Sequence, residues 1–196
     1  MHRHHHRNAP AAFTGRSSRV YDVLARRLLR GVYRRLAEDV AASTPDGATV
    51  LDVGTGPGVL LAELATRRPD LTLIGVDLSA DMVAAAVRNL SGFGARASVK
   101  QADVAELPLA DGSVDVVVSS LSLHHWDQPR EAIGELRRVL RPGGRLRIYD
   151  FPFAPFDVLE SAASDRSLFS GAAPERVQLK LRIPFLPRFV RLTLTA

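Results

Sequence analysis

Between Thr49 and Tyr149 the chain alternates short aliphatic runs with segments of helical length, and this alternation narrows the fold more than any other feature. The runs are Thr49–Val53, Leu71–Val76, Ala97–Gln101, Val114–Ser119 and Arg145–Tyr149. Helical patterning falls between them at Gly58–Arg67, Asp81–Leu90 and Pro129–Leu140. Pro129 stands in a first turn, where its missing N–H leaves no bond unmade. The run VDVVVS has aliphatic residues on both alternating faces, so it reads as a strand covered on both sides. Strands alternating with helices pair in parallel through right-handed crossovers, which gives an open, doubly wound α/β sheet. Ligands of such sheets bind at the carboxyl ends of the strands. Arg141-Pro142-Gly143-Gly144 reads as the turn into the last of these strands.

The flanks read differently. From Ser17 to Ser43, Val20, Leu24, Leu28, Val32, Leu36 and Val40 recur every four residues and form an apolar helical stripe. Gly31 divides that segment, and Thr44-Pro45-Asp46-Gly47 ends it. After Asp150, Asp157–Phe169 is expected to be helical. Val177–Ile183 and Phe189–Thr195, around Pro184–Pro187, are expected to form an antiparallel hairpin at one sheet edge. The organisation predicted is a flexible His/Arg tail over 1–15, an N-terminal helical cap over 16–44 and one domain over 45–196.

Composition excludes several classes. The tract HRHHH lacks the fixed spacing and closed ligand set of a structural zinc site, so no metal is expected. There is no cysteine, no apolar run of membrane-helix length and no secretion-signal pattern at the start, so a cytoplasmic location is expected. The net charge is +5 and all but two of the 26 basic residues are arginine. Arginine suits bidentate phosphate contacts, but these charges are mixed with acids along the chain, and a nucleic-acid partner is not expected.

The segment LDVGTGPG closes the first strand and places Gly54, Gly56 and Gly58 at alternate positions. A dinucleotide fingerprint is G-x-G-x-x-G, and its third glycine position holds Val59 here. No Gly-Lys-Ser/Thr follows, so the loop is not a Walker loop. Asp52 sits at the strand end, where a carboxylate suits a cation and sits poorly beside a pyrophosphate. S-adenosylmethionine carries both a sulfonium and an ammonium group, and the glycines let backbone approach a ligand with no Cβ in the way. Asp77 ends the second strand, placed to accept from both hydroxyls of a ribose; NAD enzymes use an acid there too. Asp103 follows the third strand and can accept from an adenine amino group, with Val104 offering a backbone N–H to the ring. A dehydrogenase would need a substrate domain besides.

These residues carry a resemblance. LDVGTGPG, IGVDLSADMVAAA, QADVAELPLADGSVDVVVSSLSLHHW and LRRVLRPGGRL together resemble class I S-adenosylmethionine-dependent methyltransferases, over about residues 45 to 150. The nearest subgroup is the small-molecule type that includes the ubiquinone and menaquinone C-methyltransferases. The resemblance implies a Rossmann-like, mostly parallel seven-stranded sheet with a C-terminal antiparallel hairpin, and N-terminal helices over the site. It assigns Asp52, Gly54, Gly56 and Gly58 to the methionine end of the cofactor. It assigns Asp77 and Leu78 to ribose and adenine, Asp103 and Val104 to adenine, and Ser119 and Ser120 to the strand end beneath the sulfonium. Tyr21 and Tyr33 fall in the segment corresponding to the covering helices.

Methyl transfer is an in-line displacement that depends first on positioning. Where the nucleophile must lose a proton, His124 and His125, just past the fourth strand, are the first candidate bases, and Tyr149 and Asp150, after the fifth strand, are weaker ones. Tyr21, Trp126 and Tyr149 are candidate substrate or lid residues. The fourth strand ends in SSLSLHHW and lacks the Asn/Asp-Pro-Pro-Tyr/Phe pattern of enzymes acting on base amines, which favours a small-molecule acceptor. A non-catalytic S-adenosylmethionine-binding module and an RNA methyltransferase are the alternatives.

Overall fold

The structure is a computed structural model that describes residues 30–165, 168–169, 173–179 and 188–196. The predicted tail, the helical stripe before Arg30, Tyr21 and the Pro184–Pro187 connection lie outside the described residues.

Seven strands form one sheet: β1 (Thr49–Val53), β2 (Thr72–Asp77), β3 (Ala97–Gln101), β4 (Val114–Ser120), β5 (Leu140–Asp150), β6 (Glu175–Leu179) and β7 (Phe189–Thr195). Their order is β3-β2-β1-β4-β5-β7-β6. The first five pair in parallel, β7 runs antiparallel to β5, and β6 antiparallel to β7. This is the doubly wound sheet with a reversed C-terminal pair that the sequence implied. The order reverses between β1 and β4, so the topological switch point lies between their carboxyl ends.

Helices α1 (Arg30–Ala41), α2 (Val59–Arg67), α3 (Ala80–Leu90), α4 (Pro129–Val139) and α5 (Phe156–Asp165) cover the sheet. Strand alternation sends each face to its own core. Val50, Val116, Val118 and Tyr149 pack with Leu36 and Val40 of α1 and Leu60 and Leu64 of α2. Leu51, Val117, Leu146 and Ile148 pack with Ile133 and Leu136 of α4 and Phe156 and Leu159 of α5. Among the described residues no helix is long and apolar enough to cross a membrane.

Three expectations shift in detail. Arg141–Gly144 is not a turn before a strand but lies within β5, where the register moves from Val114↔Leu140 to Val116↔Arg145. Five residues along β5 then oppose two along β4, and Gly143 N and Gly144 O bond the far end of the chain at Ala196. The helix after Asp150 ends at Asp165, not Phe169. β6 starts at Glu175, and the second half of the predicted strand lies outside the described residues.

α1 is tied to the sheet by charge as well as packing. Three arginines donate to carbonyls of its last turn and of the residues just after it. Arg147 bonds Asp39 O at 2.9 Å, Arg68 bonds Ala41 O at 3.0 Å and Thr44 O at 2.9 Å, and Arg145 bonds Ser43 O at 3.4 Å. Cations at this end also complement the helix dipole. Asp39 accepts from Tyr149 Oη at 2.7 Å and from Arg191 Nη1 at 2.9 Å. Burial opposes its charge, but these partners win and hold its carboxyl below the usual range. Asp39→Ala should therefore cost about 2 kcal/mol, less than the roughly 3–5 of a fully buried pair because the carboxylate is partly exposed. Denaturant titration checks this, and the loss should shrink as pH falls and Asp39 protonates in the wild type.

Candidate functional site

The loop after β1 is held by β2. Thr55 N donates to Val76 O at 3.0 Å, and Gly56 N donates to Asp77 Oδ2 at 2.8 Å. The other oxygen of Asp77 accepts from Ser79 N at 2.9 Å, so one carboxylate spans the ends of two strands. Burial raises the Asp77 carboxyl above its usual range, against those two backbone bonds. Ser79 caps α3 through its side chain, which frees Asp77 from that duty. Gly54, Gly56 and Gly58 all have positive φ, between 52° and 75°, so the loop traces a path that side-chain-bearing residues resist.

Gly54 is constrained by space too. A Cβ there would lie 1.9 Å from Ser122 Oγ and 2.5 Å from its Cβ. Ser122 follows Leu121, a non-glycine residue at φ 55°, which turns the chain sharply out of β4. Ser122 Oγ also accepts from Trp126 Nε1 at 2.9 Å. Gly54, Ser122 and Trp126 thus lock the loop after β1 to the loop after β4, across the switch point.

Asp52 is wholly buried beneath this loop. Its Oδ2 accepts from Thr55 Oγ1 at 2.8 Å, while Oδ1 has no hydrogen-bond partner among the described residues. Burial pushes its carboxyl up to about 7; the Thr55 bond opposes this and the Asp77 charge adds to it. A buried carboxylate oxygen without a donor is costly, and a ligand bringing an N–H⁺ group would relieve it. The pH consequence has a definite sign. Between about pH 4 and 7 the unfolded chain gives up this proton and the folded chain keeps it, so stability falls as pH rises. Asp52→Asn keeps an acceptor for Thr55 and cannot ionise. It should gain on the wild type by on the order of 4 kcal/mol between those limits, read from paired denaturant titrations.

The other predicted residues fall around this edge. Leu78 is 60% exposed beside Asp77. Asp103 is exposed and accepts from Ala105 N at 2.9 Å, capping its own turn, with Val104 half-buried next to it. Ser119 and Ser120 are buried at the end of β4, and Ser119 Oγ lacks a partner among the described residues. His124 and His125 form a single helical turn past β4 with ring centroids 4.0 Å apart. His124 Nδ1 lies 2.7 Å from Oδ1 of the buried Asp150. Burial, then the neighbouring His124, lowers the His125 ring below its usual pKa, against the pull of Asp150.

Tyr149, expected among the substrate or lid residues, lies inside the fold. Its side chain leaves β5 on the α1 face, is fully buried and spends its hydroxyl on Asp39. Burial and the Asp39 charge push its pKa up. Three contributors were not picked out from the sequence: Thr55, Ser122 and Gly75. All lie in stretches already singled out or beside them, but their roles depend on partners from other strands. A Cβ on Gly75 would lie 3.0 Å from Thr55 Cγ2, so this glycine leaves room for the side chain that bonds Asp52. Among the described residues no cluster of three or more His, Asp or Glu is placed to hold a metal.

Residues 51–148 match the family described as "Methyltransferase domain". The chain belongs to this methyltransferase family. It is 36% identical over 138 residues to a demethylmenaquinone methyltransferase of Thermus thermophilus, covering 69% of this chain and 62% of that one. It is 35% identical over 133 residues to a ubiquinone/menaquinone biosynthesis C-methyltransferase of Syntrophotalea carbinolica, covering 67% and 56%. The aligned part thus spans less than two thirds of either curated relative. Among solved structures, a SAM dependent methyltransferase from Aquifex aeolicus superposes with a TM-score of 0.70 at 20% identity, covering 91% of this chain and 96% of that one. At that identity the likeness shows the fold alone, that of a methyltransferase domain.

Proposed function

We propose that the chain binds S-adenosylmethionine across the carboxyl ends of β1, β2, β3 and β4 and transfers its methyl group to a small-molecule acceptor. The observation that carries this reading is the buried, unpartnered Asp52 Oδ1 beneath a glycine loop with positive φ. That pair of features fits an ammonium group approaching close to the backbone and does not fit a pyrophosphate. Asp52 and the loop of Gly54, Gly56 and Gly58 would hold the amino-acid end. Asp77 has further lone pairs for the ribose hydroxyls, Leu78 offers an apolar surface to the adenine, and Asp103 with Val104 would meet its edge. Ser119 and Ser120 would close the floor beneath the sulfonium. When bound, the cofactor supplies a methyl group made electrophilic by that sulfonium.

The protein's own task is then to align an acceptor oxygen, carbon or nitrogen opposite the methyl group and keep water out. The curated relatives are named for methylation of quinone precursors, which supports a small acceptor. Incubation with methyl-labelled S-adenosylmethionine and fractionated cell extract tests the reading. Label should enter a small molecule as S-adenosylhomocysteine forms. Label confined to RNA would favour the RNA methyltransferase. Cofactor binding without any transfer would favour the non-catalytic module.

A further inference from the structure

The carboxyl end of β5 supplies a group that the methyl-transfer reading has not used. Asp150 is completely buried, and both its oxygens turn toward the short helical turn after β4. Oδ2 accepts from the backbone N of His124 at 3.2 Å. Oδ1 lies 2.7 Å from His124 Nδ1 and also accepts from Phe151 N at 2.7 Å. The carboxylate is therefore surrounded by donors, and the ring nitrogen facing it must carry a hydrogen. That places the lone pair of His124 on Nε2, the far side of the ring. His124 remains partly open, with 19% of its side chain exposed, whereas the carboxylate behind it has none. Phe151 and Phe153 pack against the same ring, with centroids 5.6 and 5.8 Å away, and limit its rotation.

We propose that Asp150 is a positioning residue that fixes the tautomer and orientation of His124, so that His124 Nε2 takes a proton from the methyl acceptor. This rests on the methyl-transfer reading and narrows it to acceptors that must lose a proton, such as a hydroxyl or an acidified C–H. The step balances: the acceptor's proton moves to Nε2 as its bond to the methyl carbon forms and the sulfur–methyl bond breaks. The products are a methylated acceptor, a neutral thioether and an imidazolium that returns its proton to water. Asp150 steadies the imidazolium by charge without taking the proton itself, as an acid behind a histidine does elsewhere. His125, packed at a tilt against His124 and lacking a carboxylate of its own among the described residues, is the poorer site for that proton. The pair thus divides into one base and one neighbour.

Nitrogen-15 NMR of the imidazole rings in the full chain tests this, with His124→Gln assigning the signals. In the neutral form, His124 should show a protonated Nδ1 and a bare Nε2, and Asp150→Asn should mix the two tautomers. Both variants should bind S-adenosylhomocysteine within about twofold of the wild type. Transfer of labelled methyl into the small-molecule extract should fall by at least about 100-fold in His124→Gln, and by about 10- to 100-fold or more in Asp150→Asn. A protonated Nε2 in the wild type, a tautomer unchanged in Asp150→Asn, or undiminished transfer by His124→Gln would overturn the proposal. Failure of the wild type to bind S-adenosylhomocysteine would instead count against the cofactor reading, with the NMR result still deciding the pairing.

Discussion

Gly54→Ala should abolish cofactor binding and lower stability by roughly 2–5 kcal/mol. Two independent effects add. At φ +68° any Cβ is strained, which costs about 1–2 kcal/mol. The new methyl would also stand 1.9 Å from Ser122 Oγ and 2.5 Å from Ser122 Cβ, and Ser122 is held in place by Trp126. Overpacking of this kind costs about 1–3 kcal/mol. Gly47 separates the two, because it shares the φ of +68° but a methyl added there would meet nothing within 4 Å. Gly47→Ala should cost only the strain. Pairing Gly54→Ala with Ser122→Gly should recover the steric part and leave the strain. Chemical denaturation of the four proteins reads all three differences, and an equal loss at Gly47 and Gly54 would show that the two loops are not locked together.

Asp77→Ala should weaken S-adenosylhomocysteine binding by about 100-fold or more while leaving the fold intact. The carboxylate holds Gly56 N and Ser79 N at once, and bonds to charged acceptors contribute roughly 1.5–3 kcal/mol each. Without it the glycine loop loses its tie to β2, and the ribose hydroxyls lose their acceptor. Stability should suffer less, because burial already disfavours this charge. Asp77→Asn keeps one oxygen and should fall between the two. Calorimetric titration gives the affinities and thermal melting the stabilities; a variant that binds normally would remove Asp77 from the site.

The sheet was legible because its causes are local. VDVVVS is aliphatic on both faces wherever it sits, and LDVGTGPG cannot continue a strand or open a helix without a turn. The loop residues proposed for the chemistry stand out for the same reason: an acid at a strand end next to glycines says something about ligands before any fold is known. What stayed hidden depends on residues far apart in sequence. Tyr149 stands near the end of a strand, and alternation along β5 sends its side chain to the α1 face, where it bonds Asp39, 110 residues away. Asp150, next in the chain, points the opposite way and meets His124. The Arg141–Gly144 stretch reads as a turn because its composition is that of a turn, and only pairing with β4 and with Ala196 shows it absorbed into a strand. Ser122 carries no signal until Gly54 is seen beneath it.

The most direct test is calorimetric titration of the wild-type chain with S-adenosylhomocysteine and, separately, with NADH. Binding of S-adenosylhomocysteine in the micromolar range with no NADH binding is the predicted result. Tight binding of NADH, or none of S-adenosylhomocysteine, would contradict it.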